Sequence, residues 1–131
     1  MAKLTQEMKD LISTQQSFVA TVNPDGTPNI GPKGSTRVLD DEHIAYNEST
    51  GKQTWGNVGR GSKVAIAVVD RERLKGFRFV GTPEAVTSGP VYDQAAETNK
   101  KAGRAAPKAV VKVKIEKIYN VGVPGRGEQV A

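Results

Sequence analysis

A chain of 131 residues provides one hydrophobic core and excludes a second domain, and the absence of cysteine excludes disulfides, thiolate metal sites and a cysteine nucleophile. The net charge of +5 arises in the C-terminal half. Because no aromatic side chains are interleaved with these basic residues, we interpret them as a solvated face, which argues against nucleic-acid binding. They include Lys100, Lys101, Arg104, Lys108, Lys112, Lys114, Lys117 and Arg126.

The pattern of apolar residues predicts one helix followed mostly by strands. In chain order, the predicted elements are a helix over 5–15, strands over 17–23, 27–39 (interrupted at 31–34) and 43–47, a helix from Thr50, strands over 63–70 and 73–87, a helix over 92–103 and a strand over 108–119. Thr5 is the expected N-cap of the first helix. Thr50 and Gln53 match a capping box that opens a helix of eight to ten residues.

This element order predicts a single domain over residues 1–131, with 122–131 as an irregular tail rich in Gly and Pro. Hairpin connections dominate, so the fold class is mainly β with peripheral helices, arranged as a small antiparallel barrel. The continuous apolar run at 63–70 predicts a central strand buried on both faces. No run of about 18 apolar residues and no signal-peptide pattern occurs, so we expect a cytoplasmic protein that does not enter the membrane.

Two stretches combine small, hydroxyl and basic residues in a way that favours an anionic ligand. Residues 29–39 place Lys33 and Ser35 beside glycines, where a core strand would have Val or Ile, and glycine permits close approach of a ligand to the backbone. A bulge at a barrel corner predicts the same residues. Residues 47–57 gather hydroxyls and a lysine at a helix start, which favours phosphate, although capping and solubility explain the same composition.

The chain resembles the pyridoxamine 5′-phosphate oxidase-like family of FMN-binding split barrels, in particular its short members. The resemblance covers roughly residues 18–86 and rests on the order and spacing of five pieces. These are Phe-Val-Ala-Thr-Val-Asn-Pro-Asp-Gly-Thr-Pro-Asn from Phe18, Arg-Val-Leu-Asp from Arg37, Gly-Lys-Gln-Thr-Trp-Gly-Asn-Val from Gly51, Lys-Val-Ala-Ile-Ala-Val from Lys63 and Gly-Phe-Arg-Phe-Val-Gly from Gly76.

The resemblance implies a split antiparallel β-barrel of the FMN-binding type and a homodimer with two flavins at its interface. It places the isoalloxazine ring against Pro32, Lys33, Gly34, Ser35, Asn47, Glu48 and Ser49, and the phosphate at Lys52, Gln53, Thr54 and Asn57. A lysine beside the ring would stabilise its reduced, anionic form. The fuller oxidases carry more arginines around the phosphate and a C-terminal extension, so we expect no pyridoxamine-phosphate oxidation here.

The leading hypothesis is an FMN-dependent oxidoreductase with no distinguished catalytic side chain and an unknown substrate or electron donor. The alternatives are a flavin carrier without a substrate, and a relative that uses a deazaflavin or haem. His43 is the only histidine, and we interpret it as a surface residue, so we expect no metal site. Trp55 is expected to pack under the inserted helix. Phosphate-loop and Rossmann spacings do not occur.

Overall fold

The computed structural model describes residues 2–131, and these form three helices around one seven-stranded antiparallel sheet. The helices are α1 (Gln6–Thr14), α2 (Gln53–Gly59) and α3 (Pro90–Lys101). The strands are β1 (Ser17–Val22), β2 (Pro28–Pro32), β3 (Arg37–Asp40), β4 (His43–Glu48), β5 (Val64–Asp70), β6 (Lys75–Val86) and β7 (Ala109–Asn120). The mainly β class with peripheral helices is therefore confirmed.

The sheet is curled into a split barrel, and its connectivity requires the curl. The strand order is β2-β1-β5-β6-β7-β4-β3, so β2 and β3 form opposite edges although they follow each other in the chain. A flat sheet of seven strands would separate these edges by about 29 Å. The connection from Pro32 to Arg37 spans at most about 19 Å when fully extended. The two edges must therefore approach each other, which confirms the predicted split antiparallel barrel.

Strands β6 and β7 supply the bend that this closure needs. Both are 12 residues long, and their pairing shifts register between Val80 and Gly81. A side chain at Gly81 would overlap the backbone oxygen of Lys114, so only glycine allows the two strands to approach this closely. The bulge lets one half of β6 pair with β5 while both halves remain paired with β7.

Helix α1 covers the open side of the sheet and contacts β3, β5 and β6. Its apolar stripe enters the main core through Met8, Leu11 and Ile12, and Leu4 joins them from the preceding segment. Thr5 is the N-cap, as predicted, and accepts a hydrogen bond from the Met8 N–H. Over residues 2–131, none of the three helices is both long enough and apolar enough to cross a membrane.

Three expectations from the sequence are wrong. Residues 27–39 form two strands rather than one, because β2 pairs with β1 and β3 pairs with β4 on the far side of the sheet. Helix α2 begins at Gln53, has seven residues and lacks a side-chain cap, since the Thr50 hydroxyl donates to the Glu48 carboxylate instead. The third concerns β5, which is buried on one face only: Val69 is 48% exposed on the other.

The segment after β7 forms no helix or longer strand, yet it is held against the strand. The Ile118 N–H donates to the Ala131 carbonyl at 2.9 Å, and the Asn120 N–H donates to the Glu128 carbonyl at 2.8 Å. Tyr119 forms an isolated bridge with Gln129. The tail thus folds back along the end of β7 as a closed turn.

Candidate functional site

A polar cleft of about 630 Å³ lies between the β2–β3 connection, the end of β4 and the segment after α3. It is lined by Pro32, Lys33, Gly34, Ser35, Asn47, Ser49, Asn99, Arg104, Ala105 and Ala106. The first six are residues to which the sequence assigns ring contacts. Two stretches that are separate in the chain therefore meet at one site, and the volume is in the range typical of small-molecule pockets.

The β2–β3 connection is fixed to the barrel by hydrogen bonds around its first residue. The Lys33 carbonyl accepts from the hydroxyls of Ser17 at 3.1 Å and Thr36 at 2.8 Å. The Lys33 N–H donates to the Ser17 carbonyl at 3.2 Å. Residues 33–36 are therefore held in one conformation although they belong to no strand, and Gly34 leaves open space where a side chain would project.

The opposite wall is joined to this connection through Ser35 and Asn47. The backbone N–H of Asn47 donates to the Ser35 hydroxyl at 2.8 Å. The guanidinium of Arg37 donates to the Ser35 carbonyl at 2.9 Å and to the Asn47 side-chain oxygen at 3.1 Å. Arg37 is half-buried, and this desolvation lowers the pKa of its guanidinium. The two walls of the cleft are thus joined by hydrogen bonds within the chain.

An ion pair lies beneath the cleft. The Lys33 ammonium is 3.5 Å from the Glu48 carboxylate and 5.4 Å from the centre of the Tyr46 ring. Glu48 is 1% exposed and Tyr46 is fully buried. Burial, with a smaller contribution from the Glu48 carboxylate, raises the pKa of the Tyr46 hydroxyl. Among residues 2–131, the Tyr46 hydroxyl and the Oε1 atom of Glu48 have no hydrogen-bond partner.

The third wall was missed by the sequence analysis, which interpreted Arg104 as part of a solvated face. The Asn99 side chain donates to the Ala105 carbonyl at 2.9 Å, and the Arg104 N–H donates to the Asn99 carbonyl at 2.8 Å. The Tyr92 hydroxyl donates to the Pro107 carbonyl at 2.7 Å. Gly103 adopts a positive φ of 72° and ends α3 directly before Arg104, so the turn at Gly103 sets the course of the chain into this wall.

The residues assigned to the phosphate lie outside the lining of this cleft. Lys52 and Gln53 are exposed at the start of α2. The Thr54 hydroxyl accepts from the Asn29 amide at 3.0 Å. Asn57 is fully buried, and its side-chain amide contacts Thr21, Asn23, Gln53 and Arg60. Asn57 therefore anchors α2 to β1.

The charge around the cleft favours an anionic ligand. Lys33 and Arg104 line it, and Arg37 lines an adjoining cavity of about 330 Å³ that shares Gly34 and Ser35 with it. The buried Glu48 carboxylate is paired with Lys33, so the cations are in excess. A polar, anionic group therefore fits the cations and hydrogen-bond donors that line the cleft.

Other candidate sites are not supported by the geometry. Within residues 2–131, no three His, Cys, Asp or Glu side chains are close enough to bind one metal ion. His43 contacts the Asp40 carboxylate at 2.8 Å, and it is not among the residues that line the cleft. Trp55 packs against the main core, as predicted.

Comparisons with known proteins agree with the fold described above. The model of the pyridoxamine 5′-phosphate oxidase family matches residues 4–122. HupZ of Group A Streptococcus is 47% identical, with a TM-score of 0.85, and the match covers 95% of this chain and 99% of that one. A candidate pyridoxamine 5′-phosphate oxidase of Lactobacillus delbrueckii is 36% identical, with a TM-score of 0.77 and coverage of 91% and 95%. An FMN-binding protein of Syntrophomonas wolfei shares the fold at 18% identity, with a TM-score of 0.74 and coverage of 88% and 84%.

Proposed function

Since the chain belongs to the pyridoxamine 5′-phosphate oxidase family, we propose that it binds FMN in the cleft between the β2–β3 connection and β4 and acts as a flavin-dependent oxidoreductase. The observation that carries this proposal is the Lys33 ammonium, held at the cleft by the buried Glu48 carboxylate. A fixed positive charge beside an open glycine is suited to the polar edge of a planar ring.

When bound, FMN supplies the exchange of electrons with a reductant and an acceptor. The protein supplies position and electrostatics. Pro32, Gly34 and Ser35 form the wall against which the ring lies, and Lys33 places a cation at its polar edge. From the opposite wall, Asn47 adds an amide whose orientation is fixed by Arg37. Hydrogen bonds and an ion pair within the chain hold the walls and the cation, so little reorganisation would accompany binding.

The phosphate is proposed to lie at the start of α2. Ser49 lines the cleft, and three residues later the chain reaches Lys52, which is exposed beside Gln53 and Thr54. A ribityl chain leaving the cleft past Ser49 would follow this loop. The lysine and the free N–H groups of the first helical turn would then contact the phosphate.

We further propose that the protein is a homodimer formed through the outer face of β2, β1 and β5. Phe18, Val22, Ile30 and Val69 project from this face and are 44%, 53%, 66% and 48% exposed. Phe18 is the register partner of Pro32, which also lines the cleft, so the apolar face continues directly into the cleft. A second copy would bury this face and cover the cleft.

Haem and a deazaflavin are the competing occupants. A haem iron needs an axial ligand, and the only histidine of the chain is paired with Asp40 outside the cleft lining. This position of His43 leaves no histidine in the cleft lining as an axial ligand, which favours FMN over a histidine-ligated haem.

The experiment is a parallel titration of purified apoprotein with FMN, riboflavin, a deazaflavin and haemin, followed by absorbance and thermal shift. We expect FMN to bind most tightly and to raise the melting temperature. Anaerobic mixing of the FMN complex with NADH or NADPH then separates an enzyme from a carrier, because only an enzyme bleaches at a catalytic rate. A preference for haemin, or no response to any of the four, would overturn the proposal.

A further inference from the structure

Glu48 is an unexpected residue for the end of a core strand, because its carboxylate is 1% exposed. A buried carboxylate is costly unless hydrogen bonds and an opposite charge compensate its lost hydration. One oxygen, Oε2, accepts from the Gly51 N–H at 3.1 Å and from the Thr50 hydroxyl at 3.4 Å. The carboxylate is therefore fixed to the loop that leads from β4 into α2.

The other oxygen, Oε1, has no hydrogen-bond partner within the part of the chain that the structure describes, and the Lys33 ammonium lies 3.5 Å away. The Lys33 side chain is 18% exposed, and its ammonium also approaches the face of the Tyr46 ring at 5.4 Å. An ammonium has three N–H donors, so attraction to the carboxylate and the ring fixes its position while donors remain for the cleft.

One carboxylate thus touches both ends of the proposed flavin site. We propose that Glu48 is a positioning residue that links the cation at the ring to the loop at the phosphate, so that the two parts of the ligand bind cooperatively. This inference rests on the proposed function. Glu48 does not line the cleft and acts only through Lys33 and Gly51.

Glu48→Gln tests the link with little change in shape. The amide oxygen still accepts from the Gly51 N–H and the Thr50 hydroxyl, but the negative charge that attracts the Lys33 ammonium is gone, and these two bonds from the phosphate loop are no longer charge-assisted. We expect riboflavin to bind about 5-fold more weakly and FMN about 30-fold more weakly, so the preference for FMN falls about sixfold.

A double-mutant cycle with Lys33→Met shows whether Glu48 acts through Lys33. In the wild-type background we expect E48Q to weaken the binding of riboflavin, whereas in the K33M background we expect E48Q to change the riboflavin affinity by less than about twofold. A purely structural role would weaken riboflavin equally in both backgrounds. Should K33M fail to fold, the FMN-to-riboflavin ratio of E48Q alone decides.

Asp70→Asn is the matched control, because the Asp70 carboxylate, like that of Glu48, accepts two hydrogen bonds and pairs with a cation. Its donors are two backbone N–H groups and its cation is Arg73, and it lies at the end of β5. We expect D70N to lower stability and to leave the affinity ratio unchanged. An unchanged ratio in E48Q, or equal effects with and without Lys33, would overturn the inference. Wild-type protein that binds neither flavin would instead overturn the proposed function, and the inference with it.

Discussion

The two ends of the proposed flavin site differ in how far the fold prepares them. At the ring end, residues 33–36 are held by hydrogen bonds from Ser17 and Thr36, and a cation is paired with a buried carboxylate. At the phosphate end, the helix α2 has seven residues, lacks a side-chain cap, and offers an exposed Lys52. The ring end is partly buried and held by hydrogen bonds, while the phosphate end presents an exposed lysine.

Because of this difference, we expect the ring end to set the affinity for any flavin and the phosphate end to set the selectivity for FMN. A prepared wall contributes to the binding of any ligand with the right planar group, because little conformational entropy is lost there on binding. An exposed lysine contributes only when the ligand has a phosphate, and it pays side-chain entropy to do so. We therefore expect changes at the ring end to affect FMN and riboflavin alike, and changes at the phosphate end to affect FMN alone.

The largest effect is expected from filling the ring end. In Gly34→Leu the new side chain enters open space with no atom within 4 Å of its Cβ, so the melting temperature should stay within about 2 °C of wild type. The leucine occupies the cleft, and both flavins should bind about 100-fold more weakly. Gly59→Leu places the same side chain in open space at the end of α2 and serves as the control. Retained binding in G34L would contradict the placement of the ring.

The next effect is expected at the phosphate end. The double change Lys52→Ala and Thr54→Ala should weaken FMN about 30-fold and riboflavin less than about twofold, because only FMN has the phosphate. Titration calorimetry with both ligands measures this. Lys63→Ala removes an exposed lysine that pairs with Glu116 and is the control. An equal loss of affinity for FMN and riboflavin would contradict the distinction between the ring end and the phosphate end.

A charge on the outer face of β1 is expected to weaken flavin binding at the ring end, because it prevents the proposed partner subunit from covering the cleft. Phe18→Lys places a charge in the apolar face beside Pro32 and should convert a particle of twice the 14.0 kDa chain mass into a monomer. Both flavins should then bind about tenfold more weakly, since the cleft loses its cover. Sedimentation velocity reports the mass. Leu74→Lys, at an exposed leucine in the β5–β6 turn, should remain dimeric. A monomeric wild type would exclude the proposed interface.

The smallest effect is expected far from both ends and depends on pH. Hydrogen bonds from Arg73 hold the pKa of the Asp70 carboxyl below its usual value. A carboxyl whose pKa is lower in the folded state stabilises the fold at neutral pH, and this contribution is lost as the pH falls below about 4. The difference in urea stability between wild type and Asp70→Asn should therefore shrink between pH 7 and pH 3. A constant difference would show that the charge of Asp70 is not the cause.

Local pattern was enough to predict elements whose partners are near in sequence or whose spacing is regular. The apolar stripe from Met8 to Ile12 gave α1, and the alternation of Val111, Val113 and Ile115 gave β7. Local pattern does not reveal contacts between residues that are distant in the sequence. Arg37 begins a strand on the opposite edge from β2, and Asn57 is satisfied by Thr21, 36 residues away.

The candidate site was predictable in part for the same reason. Lys33, Ser35 and Asn47 have side-chain types that differ from those of a core strand, and the resemblance to a family placed them together. Glutamate usually lies on the surface, and only the fold shows that Glu48 is buried beneath Lys33. Arg104 was indistinguishable in sequence from the other basic residues of the C-terminal half, because its distinction is the turn after α3 that directs it to the cleft.

The four residues that join β2 to β3 also hold the two edges of the barrel together. They are the shortest path between two strand edges that share no hydrogen bonds with each other. A ligand that binds to residues 33–36 therefore restrains both β2 and β3, although it contacts little of either strand. Hydrogen exchange of the backbone amides in β2 and β3 should therefore slow when the cleft is occupied. Binding at one small site would stabilise both edges of the sheet.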